Sequence, residues 1–110
     1  MNQALAKRTQ AIAAALDEKK AQDIEIFDVE ESEYITDSVV IATALAGKHS
    51  YALLDHLKTA CKDEKFYHTD EESEDWIIAD LGEIMVHIFT DNTRKRFNLE
   101  EFLRDHFVRG

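Results

Sequence analysis

Residues 75–102 read DWIIADLGEIMVHIFTDNTRKRFNLEEF. Trp76–Ala79 and Ile84–Phe89 are strand-length runs rich in β-branched and aromatic residues. Asp80-Leu81-Gly82-Glu83 connects them, and Gly82 supplies the positive φ that a two-residue hairpin turn requires. Asp91 or Thr93 can then cap a closing helix. Leu99, Phe102, Leu103, Phe107 and Val108 give that helix an apolar side. The segment therefore reads strand, tight turn, strand, helix. In its second strand Ile84, Val86 and Ile88 share the face expected to meet the core. Met85, His87 and Phe89 share the other. If helices cover both faces, His87 is a satisfied core histidine. If one face is open, these residues and Trp76 form an exposed aromatic patch of the kind that marks a protein interface. Patterning supports both readings equally.

Upstream of this segment, residues 2–20 read as a helix, with Leu5, Ile12 and Leu16 at spacings of seven and four. Lys7, Arg8, Glu18 and Lys19 are expected towards solvent. Asp23–Val29 is a strand, and the acidic link Glu30–Glu33 follows it. Ile35–Ala44 is nearly continuous in apolar residues, as a strand buried on both faces would be, and is placed centrally in the sheet. From His49 to Glu64, Leu53, Leu54, Leu57, Ala60 and Cys61 make one helical stripe. Cys61 is read as a small core residue. Lys65–Thr69 is a short strand, and Asp70–Asp75 is read as a solvated acidic loop. The order αββαβββα gives an α/β (α+β) domain with a mixed β-sheet flanked by helices. There are no internal repeats. Without proline and with three glycines, the 110 residues read as one domain, 1–110.

The net charge of −10 makes direct nucleic-acid binding a poor fit, since phosphate backbones attract Lys and Arg. Acidity favours a basic protein partner, or serves solubility alone. No run approaches the roughly 20 apolar residues of a membrane span. The start, MNQALAKRTQ, lacks the apolar core of a signal peptide. One cysteine suits a reducing compartment, so a cytoplasmic location is expected.

Motifs of enzyme chemistry are missing from the sequence. There is no GxGxxG or GxxxxGK[ST], and Gly47-Lys48-His49-Ser50 offers only one glycine for a phosphate loop. The five histidines form neither HxxxH nor HExxH. His49 and His56 could share a helix face, and are read as facing solvent. GxSxG is absent as well. No cofactor, metal or catalytic residue is therefore assigned.

Asp75, Trp76, Asp80, Gly82, Glu83, Val86, His87 and Phe89, followed by Thr93, Arg94, Leu99 and Glu100, carry a resemblance. They closely match the C-terminal signature of the Iojap/YbeB family, the bacterial ribosomal silencing factors (RsfS). Upstream, Asp37–Thr43 with Lys48-His49 resembles the family's strand and following loop. Two departures stand out. Ala44-Leu45-Ala46 replaces a usual Gly-Thr-Ser, and Arg96-Phe97 replaces an aromatic–Tyr pair. The resemblance implies a nucleotidyltransferase-like fold without its catalysis. The Gly-Ser loop and Asp-x-Asp pair that hold nucleotide and magnesium are lacking, since Ala44 and Ala46 lie in the loop and Trp76–Asp80 holds no second acid at that spacing. It further implies docking on the large ribosomal subunit through its basic protein fourteen, with little direct nucleic-acid contact. Docking there would block small-subunit joining and repress translation. The expected partner-binding residues are Trp76, Asp80, Leu81, Glu83, Met85, His87, Phe97 and Glu100. This leaves room for a homodimer of the free protein. The rival reading is a nucleotidyltransferase-like enzyme acting at the ribosome, using Asp37, Asp80 and the Gly47–Ser50 loop. A plain oligomerisation module is the third.

Overall fold

A computed structural model describes residues 1–30, 32 and 34–107. Helix α1 (Gln3–Glu18) starts where the Asn2 side chain accepts the Leu5 N–H at 2.8 Å. Strands β1 (Gln22–Asp28) and β2 (Ser38–Ala44) follow, then α2 (Gly47–Ala60). Three more strands are β3 (His68–Asp70), β4 (Trp76–Asp80) and β5 (Ile84–Thr90). Two short helices, α3 (Asp91–Phe97) and α4 (Leu99–His106), close the described chain. The strands make one mixed sheet in the order β1-β2-β5-β4-β3. β2 and β5 run parallel, and the other pairs are antiparallel. The expected mixed sheet with flanking helices is therefore the fold, and β2 is one of its inner strands.

Several boundaries differ from expectation. β2 begins at Ser38 rather than Ile35, and Ile35 is 78% exposed. The chain enters β2 through the turn of the neighbouring hairpin, where Asp37 and Ser38 both donate to the Glu83 carbonyl. β3 is displaced to His68–Asp70 by its pairing with Ile78–Asp80. The closing helix breaks in two at Asn98, whose left-handed φ of 47° ends α3. Its N-cap is Thr90 rather than Asp91 or Thr93, and Asp91 supplies first-turn negative charge instead. Val108 lies outside the described residues, as do Glu31 and Glu33 of the acidic link.

Strand alternation sends side chains to two layers. Val40, Ala42 and Ala44 of β2, with Ile84, Val86 and Ile88 of β5, face Leu5, Ile12 and Leu16 of α1 and Leu53, Leu54 and Leu57 of α2. This is the main core, on the face expected for Ile84, Val86 and Ile88. On the opposite face Phe27, Val39, Ile41 and Phe89 pack with Leu103 of α4. Helices therefore lie on both sides, but the second layer is thinner. Cys61 is partly buried against the main core, and that burial, with Glu64 and Glu18 nearby, pushes its thiol pKa up. Its packing role is as expected.

Arg8 does not point freely to solvent. Its guanidinium spans Glu64 (2.8 Å) and Glu83 (2.7 Å), tying α1 to the β4–β5 turn. The acidic loop is also held rather than merely solvated. Tyr51 Oη donates to the Glu71 carbonyl at 3.3 Å, and Lys58 lies 4.0 Å from the Glu71 carboxylate. Glu74 rests against Gly47 in the first turn of α2, where the helix dipole favours a carboxylate. A side chain at position 47 would have to displace it.

Candidate functional site

The hairpin β4–β5 sets out the second face residue by residue. Trp76 pairs with Phe89, Ile78 with His87 and Asp80 with Met85. These six side chains share one side of the sheet. The turn between them is Gly82-Glu83, closed by the Leu81 N–H donating to the Ile84 carbonyl at 2.9 Å. Gly82 has φ 86°, and its N–H donates to Asp80 Oδ1 at 2.8 Å. Asp80 thus fixes its own turn, and its second oxygen is left for other partners.

At the far end of the hairpin three rings meet the indole of Trp76. Phe89 lies 4.8 Å away, Phe97 of α3 4.9 Å and His87 6.0 Å, centroid to centroid. Phe89 is buried, Trp76 is half-buried and Phe97 is 51% exposed. Leu103 of α4 packs in the cluster of Phe27, Val29, Val39, Ile41 and Phe89, whereas Trp76, Ile78 and Phe97 line an open groove. The result falls between the two sequence readings of this face: Met85 and His87 are covered, while Trp76 and Phe97 are open.

His87 is 6% exposed, yet it is not a satisfied core histidine. The Trp76 Nε1–H donates to its Nδ1 at 3.0 Å, which assigns the ring proton to Nε2. Nε2 is buried and has no partner among the described residues. Burial pushes the pKa down to about 4 from 6.5, so the ring is neutral at physiological pH. The unfolded chain takes up this proton near pH 6.5 and the folded chain only near 4. Stability is therefore full above pH 6.5 and falls as pH drops towards 4, by about 3 kcal/mol in all. Urea unfolding across that range should show the loss in the wild type and its removal in His87→Gln. Parallel pH profiles would mean that His87 is solvated when folded.

The remaining expected site residues are dispersed. Leu81 is buried in the main core on the opposite side of the sheet. Glu83 is engaged by Arg8 on the α1 side. Glu100 accepts from Arg94 Nε at 2.9 Å and is largely covered. Trp76, Met85, His87 and Phe97 come together, with Asp80 at the Met85 end. Two contributors were missed. Ile78 sits between Trp76 and Asp80 on the same face, and the alternation of β4 was the signal for it. Arg94 is 8% exposed and binds Asp23 O (2.5 Å), Thr43 Oγ1 (2.8 Å), Glu25 (3.3 Å) and Glu100. It locks α3, and with it Phe97, onto β1 and β2. A buried arginine on a basic, polar stretch leaves no signal in the patterning, and its one trace in the sequence is its place in the family signature.

The enzyme constellation is not assembled. Ser38 pairs with Ile84 and Ala44 with Thr90, so Asp37 and Asp80 lie at one end of the sheet. Gly47–Ser50 begins beyond the other end, about 20 Å away at strand rise. His49 is committed to structure rather than to solvent. Its Nδ1 accepts the Leu45 N–H at 2.9 Å, and its Nε2 donates to the Lys19 carbonyl at 2.5 Å. His56 lies 3.7 Å from Glu18 and is also partly covered. Among the described residues no group of three or more His, Cys, Asp or Glu could hold a metal ion, and no helix is long and apolar enough to cross a membrane.

Comparison with known proteins gives the same direction. A family model described as "Ribosomal silencing factor during starvation" (RsfS) matches residues 2–108. The ribosomal silencing factor RsfS of Haemophilus influenzae is 38% identical over 78% of this chain and 87% of its own length. That of Bacillus subtilis is 30% identical over 84% of this chain and 81% of its own length. A crystal structure of a Chromobacterium violaceum protein superposes with a TM-score of 0.83 at 20% identity, covering 88% of this chain and 83% of the other, and so shares the fold. With nearly its whole length matched, the chain belongs to the RsfS family of ribosomal silencing factors.

Proposed function

We propose that the protein docks on the large ribosomal subunit through its basic protein fourteen and blocks small-subunit joining, repressing translation without catalysis. The observation that carries this is the half-open aromatic face made by Trp76 and Phe97 over the buried His87. Such rings, rigid and partly desolvated, are the usual anchors of a protein interface. Met85 and Ile78 extend the face, and Asp80 marks its acidic end. Glu83 and Glu100 act indirectly, by holding α1 and α3 in place. The excess of carboxylates over the whole chain suits a basic partner and disfavours direct contact with RNA. The separation of Asp37 and Asp80 from the Gly47–Ser50 loop supports a role without catalysis.

Sedimentation with isolated subunits tests the proposal. The protein is expected to pellet with large subunits and not with small ones, and to lower the yield of joined ribosomes when the two are mixed. Equal recovery with both subunits, or with neither, would overturn it.

A further inference from the structure

We infer that the groove beside Trp76 is the seat for one arginine side chain inserted by a basic protein partner. The inference rests on the docking reading above and deepens it. The groove runs between the acidic loop and α3, walled by Trp76, Ile78 and Phe97 and rimmed by Asp70, Glu72 and Asp75. Two separate features of it select a cation. Aromatic faces attract positive charge through their quadrupole, and the planar guanidinium stacks on them best. The rim carboxylates add a negative field.

Those carboxylates differ from the four that the chain's own arginines hold. Glu25, Glu64, Glu83 and Glu100 each pair with an arginine of the chain. Asp70, Glu72 and Asp75 pair with no cation among the described residues. Asp75 accepts only the Thr90 hydroxyl at 3.0 Å, and Asp70 the Glu72 N–H at 3.2 Å. Glu71, between them, is drawn instead towards Lys58 of α2.

Arg96 lines the same groove, its guanidinium 5.5 Å from the Phe97 ring centroid. It also has no carboxylate partner among the described residues. Arg96 therefore shows that a guanidinium fits against this wall, and it repels a second one. It lowers affinity for weakly basic surfaces and leaves the seat to a strongly held arginine. A second copy of this acidic chain would bring two negative rims together, and a nucleic acid would bring phosphates to one, so neither suits the groove.

Trp76 is the only tryptophan, so its fluorescence reports on the groove directly. N-acetyl-arginine amide, titrated at low salt, should give a saturable change, and its neutral citrulline counterpart none. Joint replacement Asp70→Asn, Glu72→Gln and Asp75→Asn, all at exposed or half-exposed positions, should weaken the response about tenfold. Arg96→Ala should strengthen it a few-fold. Identical responses to arginine and citrulline, or an unchanged response in the triple variant, would overturn the inference. Normal co-sedimentation with large subunits alongside no arginine response would remove the seat and leave the docking reading standing. An arginine response without co-sedimentation would do the reverse.

Discussion

Arg94→Met is expected to destabilise the fold by about 3–5 kcal/mol, because removing one partner of a buried ion pair leaves the other uncompensated. Here the orphaned groups are several. Glu100 loses its cation while still covered, Thr43 Oγ1 loses a donor, and so does the Asp23 carbonyl. Asp23 itself sits at φ 47°, where β1 shifts register, a conformation that depends on outside support. A domain of this size has about 5–15 kcal/mol of stability in total, so the variant would retain little. Arg94→Lys should recover only part, since an ammonium cannot reproduce four directed bonds. Urea unfolding of both variants checks this. A midpoint close to wild type for Arg94→Met would mean that water replaces the guanidinium without loss.

Trp76→Ala is expected to weaken large-subunit binding by about 2 kcal/mol or more, roughly thirtyfold, as loss of an interface anchor does. Its effect on folding should be smaller than the 3–5 kcal/mol typical of a fully buried tryptophan. The indole is half-buried, and its tilted ring contacts with Phe89 and Phe97 belong to the second layer rather than to the main core. Thermal unfolding and subunit binding measured on one preparation separate the two roles. Early unfolding with normal binding by the folded fraction would make Trp76 a core residue. Trp76→Phe keeps a ring but removes the N–H that meets His87, so it isolates the hydrogen bond from the stacking.

Much of the sheet was legible because its strands alternate or run apolar without a break. Ile84, Val86 and Ile88 lie where a period of two puts them, and the unbroken apolar run of β2 marks an inner strand. Gly82 gave the turn away because few other residues accept its φ. What sequence hid depends on partners distant in the chain. Arg8 looks like a solvent-facing cation on a helix and Arg94 like one residue of a signature, and only the fold brings Glu64, Glu83, Glu25 and Glu100 to them. The same blindness made Leu81 and Glu100 look like surface contacts, though Leu81 is in the core and Glu100 is largely covered by its bond to Arg94. Each lies within a segment matched as a string, whereas a surface is made of residues on one side of a sheet. Nor could the string show that α4 packs over β1 and β2 and leaves Trp76 half-open.

The parallel pairing of β2 with β5 dictates the order in which the chain can be completed. β5 is the last of the described strands along the chain, yet it lies between β2 and β4, in the middle of the sheet. Until residues 84–90 leave the ribosome that synthesises them, β2 keeps an unpaired apolar edge and β4 has only the three-residue β3 beside it. Contacts so remote in sequence form slowly, and open strand edges invite association with other chains. A nascent chain halted before β5 is thus an aggregation hazard, and the aromatic cluster around Trp76 cannot assemble until β5 supplies His87 and Phe89. A chain built this way offers the open edges of β2 and β4 to other chains for as long as β5 is withheld.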